Sequence, residues 1–154
     1  MVRKRSKRVE IATDIAAPAS IAFDIVADPR NHPRIDGSGT LTGLIFGPER
    51  LAMGSRFGMK MRMVVPYRMT NVVIAFAEGS EIGWRHLGRH VWRYTFVPLG
   101  DNSVRVTESF EWNRSPIGVI YPAAGVVGRN LLAMRRTLGV LKELAEAEYR
   151  KNST

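Results

Sequence analysis

The sequence predicts an α+β fold in which a curved antiparallel sheet of about seven strands wraps around one long C-terminal helix. Three observations carry that prediction. Residues 8–15 and six later segments alternate apolar and polar side chains with the period of two that marks half-buried strands. Turn-forming residues separate those six at short intervals, as in a meander. After residue 115 the apolar spacing changes to three and four, the signature of an amphipathic helix. A sheet with one apolar face and a single apolar-striped helix can bury both only against each other. Any part of that gap not filled by side chains is a ligand cavity.

The elements follow in order. In "RVEIATDI", Val9, Ile11, Thr13 and Ile15 share one face, while Arg8, Glu10, Ala12 and Asp14 share the other. "APASIAFDIVADP" reads as a short helix, with Pro18 suited to its first turn, Ile21, Phe23 and Ile25 on its inner face and Pro29 as its stop. "RNHPRIDGSG" is rich in breakers and reads as the connection to the next strand. The meander comprises "TLTGLIFG", "SRFGMKMRM", "YRMTNVVIAFAEG", "SEIGWRHLG", "RHVWRYTFVPLGDN" and "SVRVTESFEWN". Its clearest member alternates Phe57, Met59, Met61 and Met63 with Gly58, Lys60 and Arg62. The apolar stripe Ile120, Ala124, Val127, Leu131, Met134, Leu138, Leu141 and Ala145 predicts a helix from about Ala123 to Tyr149, with Pro122 at its start. Residues 1–8 read as a basic flexible tail and residues 9–150 as a single domain.

Composition narrows the chemistry. With no cysteine among 154 residues, disulfides, thiolate zinc sites and thiol nucleophiles are excluded, which fits a reducing cytoplasm. Glu10 and Asp14 interrupt what would have to be the apolar core of a signal peptide. The longest uncharged run, residues 115–128, holds two prolines and three glycines and falls short of the ~20 apolar residues of a membrane span. A cytoplasmic protein without a transmembrane helix is expected. Five of the cations behind the formal net charge of +9 (Arg3, Lys4, Arg5, Lys7 and Arg8) lie in the first eight residues, so the body is only mildly basic. The tail is a candidate for weak contact with an anionic membrane or RNA. No nucleophile elbow, phosphate loop or dinucleotide fingerprint occurs, and no cofactor is expected.

"IAAPASIAFDIVADPRNHPR", "FVPLGDNSVRVTESFEW" and the terminal "LGVLKELAEAE" together resemble the polyketide cyclase/dehydrase and lipid-transport group, with its START-like, Bet v 1-like helix-grip fold. The resemblance covers nearly the whole chain. It implies a deep apolar cavity between sheet and long helix, holding a lipid, sterol, quinone or polyketide. It is specific for fold rather than activity, because element order holds the group together and no catalytic signature does. Where many of its members carry a tryptophan after the short helices, this chain reads "HPRIDGSG".

Strand alternation then selects the candidate wall: Phe57, Met59, Met61, Met63, Trp84, Trp92, Tyr94, Phe96, Glu108, Phe110 and Trp112 from the sheet, with Val127, Leu131 and Met134 from the helix. Glu108 falls among apolar neighbours, where an unpartnered carboxylate is costly and its pKa tends to rise. It is a polar anchor or proton donor there, with Glu111 taking the place if a bulge reverses the faces. Tyr94 offers a hydroxyl. His86 and His90 flank a turn at Gly88, and two registers are open. A two-residue turn points them to opposite sides, whereas a three-residue turn pairs His86 with His90 and Trp84 with Trp92. No metal site is expected from two histidines in a hairpin. The catalytic candidates are Glu108, Tyr94, His86 and His90. The first functional expectation is binding, for transport or sequestration, of a hydrophobic lipid-like or polyketide-like molecule. A cofactor-independent polyketide cyclase or dehydratase using the same cavity is the second, and a module contacting ribosome or anionic membrane through its basic surface is the third.

Overall fold

The computed structural model describes residues 7–86, 90–112 and 126–154, apart from the side chains of residues 126 and 127. The order is β1 (Arg8–Ile15), α1 (Ala19–Ala27), a 3-10 turn (Pro29–Asn31), α2 (His32–Ile35), β2 (Leu41–Phe46), β3 (Arg56–Arg62), β4 (Pro66–Ala77), β5 (Glu81–Arg85), β6 (Val91–Gly100), β7 (Ser103–Glu111) and α3 (Val126–Asn152). One antiparallel sheet of seven strands runs β1-β7-β6-β5-β4-β3-β2. Strands β2 to β7 form the meander, and β1 closes it by pairing with β7 from Arg8↔Glu111 to Ile15↔Val104.

The long helix packs along β1, β7, α1 and α2. Leu138, Leu141 and Ala145 enter the main core with Ile15, Phe23, Val26, Phe96 and Val106, while Met134 packs with Phe110 and Trp112 in a second cluster. Polar contacts fix the same half of α3. Thr137 Oγ1 accepts from Gly37 N (2.9 Å) and Lys142 Nζ donates to Asp14 O (2.9 Å). Glu146 Oε1 accepts from Ala16 N (3.0 Å), and Tyr149 Oη donates to Asn102 Oδ1 (2.6 Å). Gly37 allows the first contact, because a Cβ at that position would sit 2.2 Å from Ala133 O.

The breaker-rich segment after α1 is more ordered than its composition suggests. Asp28 accepts from Arg30 N (2.9 Å) and starts the 3-10 turn, and the short helix follows with proline in its first turn. Asp36 then holds the exit, accepting from Ser38 N (3.1 Å), Ser38 Oγ (2.7 Å) and Leu41 N (3.0 Å). Arg8 opens β1 and pairs with Glu10 (2.9 Å) and Glu111 (3.3 Å), while Lys7 O accepts from Trp112 N (3.0 Å). Arg3, Lys4 and Arg5 lie outside the described residues, as do residues 123–125 at the expected helix start.

Candidate functional site

Register places the inward side chains in rows across the sheet. One row runs Val73, Trp84, Trp92, Phe110 and Val9; the next contains Ile82, Tyr94, Glu108 and Ile11. Tyr94 Oη donates to Glu108 Oε1 (2.9 Å) at the centre of this wall. Glu108 is 3% exposed, and its Oε2 has no hydrogen-bond partner. Burial pushes the Glu108 carboxyl up to about 8, opposed by the Tyr94 hydrogen bond and reinforced by the charge of Asp36. Burial likewise carries the Tyr94 hydroxyl well above its usual range, with the neighbouring carboxylate adding to it. At neutral pH the pair is therefore neutral, and the protonated Oε2 is a donor facing the interior.

Aromatic contacts fix the geometry around the pair. The Trp84 ring lies between His32 (centroids 4.8 Å apart) and Tyr94 (5.6 Å), close to parallel with both. Phe57 meets Trp84 edge-on at 5.6 Å and His32 at 5.4 Å. His32 Nε2 donates to Val26 O (2.8 Å), and burial lowers the imidazole to about 4, so it serves as a neutral ring. Sequence reasoning missed His32, which sits in the breaker-rich connection. The alternation of Trp84 toward the same interior was the only available signal.

The hairpin adopts the three-residue register. His86 N donates to His90 O (3.2 Å), Trp84 lies opposite Trp92, and the two imidazole rings are 4.4 Å apart. Among the described residues no third His, Cys, Asp or Glu joins them to make a metal-binding group. Burial lowers His90 to about 4; burial, then the neighbouring His90, drives His86 well below its usual value. His86 Nδ1 and Asn71 Oδ1 are buried without partners. Asn71 is opposite Phe57, and its neighbour Val72 is opposite Arg85, so Asn71 and His86 occupy consecutive strands at the same level. Asn71 also escaped the sequence reading, although it falls on the apolar face of β4.

Of the expected wall residues, Phe57, Met59, Met61, Trp84, Tyr94, Phe96, Glu108, Phe110, Trp112 and Met134 are buried. Trp92 and Leu131 are partly buried, and the Val127 side chain lies outside the described residues. Met63 is corrected: it is 63% exposed, because β3 ends at Arg62 and the chain turns before the alternation can continue. Glu111 faces the opposite side of the sheet, where it accepts from Arg93 Nε (3.1 Å).

A curved sheet closed over one long helix, with an aromatic wall around a neutral carboxyl, defines a helix-grip protein. Residues 6–146 match the family described as polyketide cyclase/dehydrase and lipid transport, and the chain belongs to that family. It is 38% identical over 143 residues to the uncharacterized protein Rv0088 of Mycobacterium tuberculosis, covering 88% of this chain and 63% of that relative. The chain thus spans less than two thirds of the relative's length. Two solved structures show the same fold. Protein NE0264 of Nitrosomonas europaea has a TM-score of 0.68 at 11% identity, with 96% and 98% of the two chains covered. The Zhui aromatase/cyclase of Streptomyces sp. R1128 has a TM-score of 0.62 at 14% identity, with 89% and 94% covered. No helix among the described residues is long and apolar enough to cross a membrane.

Proposed function

We propose that the protein binds a neutral, carbonyl-bearing hydrophobic molecule, polyketide-like in its chemistry, between the sheet and α3. The observation that carries this reading is the unpartnered Oε2 of buried Glu108. With Oε1 occupied by Tyr94, the protonated Oε2 has one hydrogen to donate, and a carbonyl oxygen accepts it. His86 Nδ1 and Asn71 Oδ1 supply a second polar station on the same wall, suited to a hydroxyl. Among the described residues no lysine or arginine is buried, so nothing in the interior neutralises a fatty-acid carboxylate or a phosphate.

Anthrone, its hydrocarbon counterpart 9,10-dihydroanthracene, and a fatty acid are suitable probes, each displacing Nile red from the protein. At pH 6 the ketone is expected to bind about fivefold tighter than the hydrocarbon, the worth of roughly one hydrogen bond. That preference disappears above pH 8, where Glu108 ionises. Equal affinity for ketone and hydrocarbon at pH 6, or a preference for the fatty-acid anion, overturns the reading.

A cyclase or dehydratase reading is favoured by the same carboxyl, because an acid still protonated at neutral pH can deliver its proton to a bound carbonyl. A poly-β-ketone substrate turned over at the same rate by wild type, Glu108→Gln and Tyr94→Phe removes both residues from the chemistry.

A further inference from the structure

The hairpin joining β3 to β4 ends in three largely exposed apolar side chains: Met63, Val64 and Val65 are 63%, 94% and 67% exposed. Such a run at a turn is unusual, since turns favour Gly, Pro, Asn, Asp and Ser. Cations stand immediately behind this apex. Lys60 is directly opposite Arg68, and Arg62 is opposite Pro66. All three are exposed, and no ion pair among the described residues holds them. Like charges directly across a strand pair oppose folding, so this arrangement lacks a local structural benefit. An external anion would relieve it.

We infer that the β3–β4 hairpin is a docking surface for an anionic lipid bilayer, its aliphatic apex entering the acyl boundary while Lys60, Arg62 and Arg68 meet the headgroups. The dimensions agree. At ~3.3 Å per strand residue, Arg62 is set back roughly 7 Å from Val64 and the Lys60–Arg68 pair roughly 13 Å. Interfacial segments bury their apolar side ~5–10 Å deep, and lysine and arginine stems extend further toward phosphate. RNA accounts for the cations but not for three exposed aliphatic side chains. The surface is separate from the Tyr94–Glu108 wall, and the inference does not depend on the ligand proposed above.

The full chain is tested by co-sedimentation with vesicles of phosphatidylcholine alone and of phosphatidylcholine with phosphatidylglycerol. Binding is expected only to the anionic vesicles and to weaken with salt. Lys60→Gln with Arg68→Gln should reduce it about twenty-five-fold, at about fivefold for each cation. Val64→Asp should reduce it by at least about tenfold. Because the chain has no native cysteine, Val64→Cys can carry a single environment-sensitive fluorophore, whose emission should shift to the blue on anionic vesicles alone. These positions are exposed, so thermal unfolding should be unchanged and a folding defect is visible separately. Three results overturn the inference: no binding to anionic vesicles; binding that survives Val64→Asp and is competed equally by RNA, marking a plain polyanion surface; or binding lost entirely with Arg3, Arg5 and Lys4 changed to Gln and untouched by the hairpin variants.

Discussion

Glu108 and Glu111 are three residues apart on one strand and occupy opposite environments. Glu108 points into the protein, is nearly inaccessible, and has a tyrosine hydroxyl as its partner. Glu111 points outward and is held between Arg93 and Arg8, with Glu81 on the far side of Arg93. One strand therefore provides a neutral acid on one face and half of an ion-pair network on the other. Strand parity decides which, because a displacement by an odd number of residues reverses the face. The surroundings differ accordingly: desolvation disfavours the carboxylate of Glu108 inside, while outside Glu111 is paired with two guanidinium groups.

The contrast is broken most severely by placing a charge on the wrong face. Glu108→Lys buries a cation without a counterion and is expected to cost about 3–5 kcal/mol, or to prevent folding, as read by urea denaturation. Next comes the pH dependence. The folded Glu108 carboxyl titrates near 8 against 4.5 for the free group, so the unfolded chain releases that proton first and stability falls as pH rises through this window. The three histidines act in the opposite sense. Their folded values lie below the free value of 6.5, so they remove stability as pH falls from there toward 4. The histidines still regain stability over the first part of the range from 6.5 to 8, so the carboxyl's own loss, about 2 kcal/mol there, is read as the difference between wild type and Glu108→Gln. Glu108→Gln should flatten this decline, and an unchanged slope would place its origin elsewhere.

Tyr94→Phe is expected to be milder, at about 1–2 kcal/mol, because it removes one buried hydrogen bond. It should also move the alkaline loss of stability to higher pH, since the Tyr94 bond is what lowers the Glu108 value. Glu111→Gln should have the smallest effect, within about 1 kcal/mol and diminishing in salt, as expected for a partly exposed pair. A larger loss from Glu111→Gln than from Tyr94→Phe would contradict the asymmetry between the two faces.

Most of this architecture is legible in the sequence because it depends on periodicity. Alternation identifies each strand and places Trp84, Tyr94, Phe96 and Glu108 on the inner face, and the change of spacing identifies α3. What remains hidden depends on geometry that periodicity does not encode. The pairing of His86 with His90 follows from loop length, and a single residue more or less would have reversed it. His32 is buried by partners distant in sequence, Phe57 and Trp84, within a segment whose prolines read as mere connection. Met63 continues the alternation of β3 on paper, yet the chain has already turned. Asn71 is hidden for the opposite reason: one polar residue on an apolar face looks like a lapse in the pattern.

The tethers at Thr137, Lys142, Glu146 and Tyr149 give α3 a mechanical character. It resembles a beam clamped along its C-terminal half. A beam held in this way does not lift away from its support. One turn before Thr137, Met134 is where the helix meets Phe110 and Trp112. Gly37, pressed against the helix backbone where no larger residue fits, makes the first of these clamps.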